Sequence, residues 1–142
     1  MATDALPRRS LTADRGEAVA AAAYGLGALS LAGEAAVHVQ QYASLLHEVR
    51  WIGPLFLANA AASVVTIIGL AYWRTRALAA LGGVVISALA LGSLVVSYGH
   101  GLFGWQEGGF RTPVAIAVTT EMCASILLSA ALTTAAVRRH TH

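Results

Sequence analysis

Residues 54–98 read PLFLANAAASVVTIIGLAYW, then RTR, then ALAALGGVVISALALGSLVVSY. Each apolar run is long enough, as a helix rising 1.5 Å per residue, to cross a hydrocarbon core of about 30 Å. The link between them, Arg74-Thr75-Arg76, is so short that the two helices must fold back on each other as an antiparallel hairpin. Pro54 suits the first position of a helix, where its missing N–H costs nothing. Tyr72 and Trp73, followed by two arginines, mark a boundary between lipid and water.

Two more apolar runs flank this hairpin. The spans are expected at about 17–39, 54–73, 77–98 and 113–137, with polar tails at 1–16 and 138–142. Thr112-Pro113 is an N-cap followed by a proline at the first helical position. The first run follows Arg8, Arg9 and Arg15 and superficially looks like a signal peptide. It is longer than a typical signal core, so it is expected to be a retained helix. Residues 40–52 either extend the first helix or form a short interfacial one, with Trp51 at headgroup level. The loop 99–112 is rich in glycine and carries Phe103, Trp105 and Phe110 for the same interface.

The composition agrees. The 142 residues, enough for one domain, are 57% hydrophobic and 11% charged, with a mean hydropathy of +0.67. A soluble domain is about a quarter charged. All nine basic residues are arginine and the net charge is +2. They flank apolar runs and form no basic face, so no nucleic-acid partner is expected. The lone Cys123 excludes an internal disulfide framework. Arg8, Arg9, Arg15, Arg74, Arg76, Arg138 and Arg139 fall on one side of the expected topology, and only Arg50 and Arg111 on the other. The positive-inside rule places both termini and the short hairpin in the cytoplasm. The expected architecture is therefore all-α: an antiparallel four-helix transmembrane bundle, multi-pass in a plasma membrane.

The unusual chemistry starts at GEAAVH, residues 33–38. Glu34 and His38 are one turn apart on one helix face. Ionisable groups inside membrane helices are scarce, because each must be paired or hydrated. His100 ends the third span on the same side as His38. Glu121 is eight residues into the fourth, about 12 Å below its outward end. Glu34, His38, His100 and Glu121 are thus expected to converge in the outward half, with Asn59, Ser93, Ser97 and Ser125 completing a polar pocket. Gly83, Ala90, Ser93, Ser97 and His100 are read as one small and polar face of span three. Asn59, Ser63 and Thr66 form a similar stripe on span two.

Three uses compete for such a set. The carboxyl groups can be structural, making interhelical hydrogen bonds that contribute about 0.6 kcal/mol each in membranes. The two Glu and two His can ligate a first-row transition metal, or His38 and His100 can be axial ligands of a haem. A Glu–His pair can also relay protons or cations. The Glu-x-x-x-His spacing is not the Glu-x-x-His of di-iron bundles, which disfavours that chemistry. His47, nine residues beyond His38, falls on the opposite face of a continuous helix. His140 and His142 lie on the cytoplasmic tail. Nucleophile and phosphate-loop motifs are not visible, so a non-enzymatic protein is favoured.

RWIGPLFLAN at 50–59, SYGHGLFGWQE at 97–107, and Glu121 resemble segments of small four-helix integral membrane proteins of high-GC Gram-positive bacteria. That resemblance implies the topology and assigns no activity. The expected role is an accessory or assembly subunit of a larger membrane complex, or a homo-oligomer, with an outward-facing Glu/His site. The alternatives are a stand-alone metal- or haem-binding membrane protein, and a proton or cation carrier.

Overall fold

Helices long and apolar enough to cross a membrane occur four times, over Arg15–Leu46, Ile52–Ala71, Arg76–Gly99 and Thr112–Val137. In the computed structural model, which describes the backbone of residues 8–140 and side chains from 15 to 137, the elements are α1 (Arg8–Gln41), α2 (Ile52–Ala71), α3 (Arg76–Gly99) and α4 (Thr112–His140). The expected tail over 1–16 is already helical from Arg8. The rest of that tail, residues 1–7, and the last two residues lie outside the described range.

Each helix buries one face. On α1, Ala20, Ala23, Gly27, Leu31, Glu34, His38 and Gln41 are buried, at helical spacings of three and four that set them in one row. On α4 the buried row is Val114, Glu121, Ala124, Leu128 and Ala131. The outward faces carry Leu29, Val65, Leu78, Leu89 and Ile126, all exposed. The interior instead holds Glu34, His38, Ser63, Thr66, Ser87 and Glu121. An apolar exterior around a core that mixes apolar side chains with ionisable and hydroxyl ones suits a hydrocarbon solvent.

The helices form a ring in which α1 packs on α2 and α4, and α3 on the same two. Near the α2–α3 link the ring is closed tightly around Leu31, Leu70, Ala80, Ala124 and Leu128. Leu128 fills a notch between Gly27 and Gly83, where an added Cβ would lie 2.5 Å from its side chain in either case. Small residues here bring the helix backbones close, which is how dispersion contacts hold membrane helices together. At the link, the Thr75 hydroxyl donates to the Gly69 carbonyl at 2.8 Å and the Arg76 Nε to the Leu70 carbonyl at 2.9 Å. These bonds occupy carbonyls that the end of α2 leaves free.

The other end is built differently. After Gln41 the helix does not stop but widens into one π turn, Tyr42–Leu46, in which the His47 N–H donates to the Tyr42 carbonyl at 3.0 Å. The 40–52 segment is thus a continuation followed by a turn. The 99–112 connection folds Leu102–Trp105 into a miniature hairpin, with the N–H of each end residue bonded to the carbonyl of the other. Its central residues, Phe103 and Gly104, have φ of 49° and 83°, the signature of a type I′ turn.

Candidate functional site

Glu34 lies at the centre of the bundle and is fully buried. Its Oε2 accepts a hydrogen bond from the Ser87 hydroxyl of α3 at 2.7 Å. Asn59 of α2 lines the cavity beside it, and the Ser63 hydroxyl donates to Asn59 Oδ1 at 3.4 Å. One turn along α1, His38 Nδ1 is 2.9 Å from the Glu34 backbone carbonyl. A carbonyl oxygen only accepts, so the ring proton is on Nδ1, and Nε2 of the neutral imidazole is an acceptor. That Nε2 is 3.7 Å from Glu121 Oε1 of α4, too far for a direct hydrogen bond. Phe56 of α2 packs on the imidazole, with ring centroids 4.7 Å apart.

All four helices therefore supply a side chain to one cluster. It is not fully satisfied: Glu34 Oε1 and Glu121 Oε2 are buried with no hydrogen-bond partner among the described residues. Leaving a buried polar group unpaired is costly, and more so for a charged one.

Above the cluster is a cavity of about 310 Å³, whose floor includes His38 and Glu121. Its walls are mostly apolar, from Val37, Phe56, Ala90 and Leu94. Leu46 of the π turn, with Leu102 and Trp105 of the hairpin, borders it at the end where the two connections lie. Nearby, Arg111 forms a two-pronged salt bridge with Glu107, at 2.9 and 3.0 Å, and the Glu107 N–H donates to the Ser97 hydroxyl. These bonds hold the connection down on the end of α3.

The structure brings together three of the four expected ionisable residues, Glu34, His38 and Glu121. It does not bring His100, which is exposed and caps the end of α3. The buried row of α3 runs through Ala80, Gly83, Ser87 and Ser97. Its next position falls at 101, so His100 is turned off it by one residue. The four-residue metal set and the His38–His100 haem pair are therefore not assembled. Among the described residues no group of three or more His, Cys, Asp and Glu side chains is placed to hold a metal ion.

Asn59 is in the site, and Ser93 and Ser97 line the cavity, though Ser93 is exposed and not on the buried face expected for it. Ser125 has a buried hydroxyl without a partner among the described residues and does not line the cavity. His47 stays outside, beside Glu48 at 3.7 Å. Sequence reasoning missed Ser87, the firmest polar contact of the cluster. The signal was present, because Ser87 is four residues after Gly83 and three before Ala90, on the very face proposed. Phe56 left no comparable signal.

Fold and site together define a class: an all-α four-helix bundle with four candidate membrane spans, carrying a carboxyl–imidazole cluster beneath an apolar cavity. The chain matches no family model, and neither a curated protein nor a solved structure is similar to it.

Proposed function

We propose that this is a multi-pass protein of a bacterial plasma membrane, with antiparallel spans and both termini cytoplasmic, that binds a small molecule in the outward half of its bundle. Binding, and not catalysis, is its activity. The topology is supported by the arginines, of which Arg50 and Arg111 alone flank the cavity end. The observation that carries the binding role is Glu121: it is 2% exposed, lines the cavity, and keeps one oxygen unpartnered among the described residues. A cavity of this size with a few polar groups on one wall is the usual form of a small-molecule site.

The test is native mass spectrometry of the chain released from bilayer discs. A stoichiometric small-molecule adduct is expected, and Ala90→Phe, which fills the cavity, should remove it. An adduct that survives the filling substitution, or a chain without one, would refute the binding role.

A second role, accessory or assembly subunit of a larger complex or a homo-oligomer, has its own support. Ala18, Ala22, Gly25, Ala32 and Ala36 form an exposed row on α1, interrupted by Leu29. A Cβ added at Gly25 would meet nothing within 4 Å. This small-residue face exceeds what the bundle itself buries, and such faces suit helix association in lipid. Gly25→Leu should then abolish co-purification of a partner without altering the thermal stability of the isolated chain.

Neither alternative has comparable support. A metal or haem centre would lack His100. A proton path across the bundle would need groups beyond Glu34, and the buried polar residues in that direction are Ser63 and Thr66.

A further inference from the structure

From the same cavity we infer the chemical class of its occupant: a lipid-soluble molecule whose polar end donates hydrogen bonds, reaching the site from the bilayer between α2 and α3. This deepens the binding role proposed above and rests on it.

The entrance is read from exposure. The lining residues of α1, including Val37, His38 and Gln41, are buried. Those of α2 and α3 include Leu55, which is 48% exposed, and Leu89, which is 66% exposed. These two helices touch closely near their link, where a Cβ on Gly69 would lie 2.8 Å from that of Ala79. Further along, the cavity reaches their exposed faces. The end that would face water is bordered by Leu46, Leu102 and Trp105. An opening lined by leucine and alanine on membrane helices admits what is dissolved in the acyl chains.

The head group is read from the floor. In the neutral imidazole His38 Nε2 is an acceptor, because Nδ1 is committed to the Glu34 carbonyl. Glu121 presents Oε2, buried and unpartnered among the described residues, and Oε1 stands 3.7 Å from Nε2. The Nε2 acceptor and the Glu121 carboxyl group thus face each other across a gap of 3.7 Å with no hydrogen bond between them. Among the described residues no arginine lines the cavity. A hydroxyl placed between them donates its one proton to Nε2 and accepts from the carboxyl group when that is protonated, and an ammonium donates to both. Both donate to Nε2, and the amine adds charge attraction only where the carboxyl group beside it is ionised.

The test uses the full chain in bilayer discs, with Trp51→Phe and Trp73→Phe leaving Trp105, at the cavity, as the remaining tryptophan. Three brominated probes quench it on contact: 4-bromophenol, 4-bromobenzylamine and 4-bromoanisole, the last without a donor. The phenol or the amine should saturate at a concentration roughly tenfold or more below that of the anisole, the loss typical of an unmade hydrogen bond to a charged group. Glu121→Gln separates the two sources: an amine loses its advantage, whereas a phenol keeps an acceptor and retains it. Ala90→Phe leaves the cluster intact and should abolish saturable quenching by every probe, which sets apart simple partitioning into lipid. Equal saturation by anisole and phenol, with amine no better, would overturn the head-group assignment while leaving the cavity a binding site. Absence of saturable quenching by all three would overturn the assignment too. The mass-spectrometric adduct then decides whether the binding role falls with it.

Discussion

The two halves of this bundle use the same residue palette to opposite ends. Near the α2–α3 link, glycines take away side-chain volume and a single large residue fills it: Leu128 enters the notch made by Gly27 and Gly83. Toward the other end, small residues such as Ala58, Ala62 and Ala90 also remove volume, but nothing fills it, and a cavity of about 310 Å³ remains. The polar belt of Glu34, Ser87 and Asn59 lies where one regime gives way to the other. Small residues therefore do not by themselves mean tight packing. They mean closeness where a facing side chain occupies the gap, and a site where none does.

Substitutions can break or sharpen this contrast. The largest effect is expected for Leu128→Ala, which empties the filled notch. Core truncations of this kind cost about 2–5 kcal/mol, read as a loss of stability in detergent unfolding. Gly83→Val should come next, at about 1–3 kcal/mol, because its added Cβ meets Leu128, Thr66 and Leu31 together and overpacking strains all three. Ala90→Phe adds more volume in the open half and should change stability by less than about 0.5 kcal/mol. A large destabilisation there would mean that the cavity is not free space, and the contrast between the halves would collapse.

Ser87→Ala sharpens the boundary itself. It removes the 2.7 Å hydrogen bond to Glu34 and should cost about 0.6 kcal/mol, the average for interhelical hydrogen bonds in membranes. A cost several times greater would indicate that the Glu34 carboxyl depends on this one donor. The smallest effect is expected in the hairpin at the open end. Phe103, exposed and at φ 49°, occupies a position that asparagine tolerates better than phenylalanine does. Phe103→Asn should stabilise the connection by less than about 1 kcal/mol, visible as slower amide exchange at Leu102 and Trp105.

Much of this was legible from local signals. The RTR link, Pro54 and Thr112-Pro113 punctuate the chain, and the hydropathy of each run fixes a helix long enough to span. The pairing of Glu34 with His38 on one face follows from a four-residue spacing, which any regular helix enforces. Errors arose where phase had to be carried across a long helix with a broad, weakly amphipathic pattern. On α3 the row through Gly83, Ala90 and Ser97 was extended to Ser93 and His100, whereas the buried row passes through Ser87 and Ser97 and includes neither. A one-residue slip rotates a side chain by about 100°, enough to take His100 out of the site. The π turn at Tyr42–Leu46 was equally hidden, since no residue type there demands it.

Sequence alone determined that there are four apolar helices, where the last three begin, and which of them carry acid or imidazole groups. Those properties are one-dimensional: they depend on runs, spacings and turn residues along the chain. Only the tertiary structure decided that Ser87 meets Glu34 across the bundle, that His38 and Glu121 face each other without touching, and that a cavity opens above them. Such relations depend on the rotation of each helix about its own axis, and packing against its two neighbours sets that rotation.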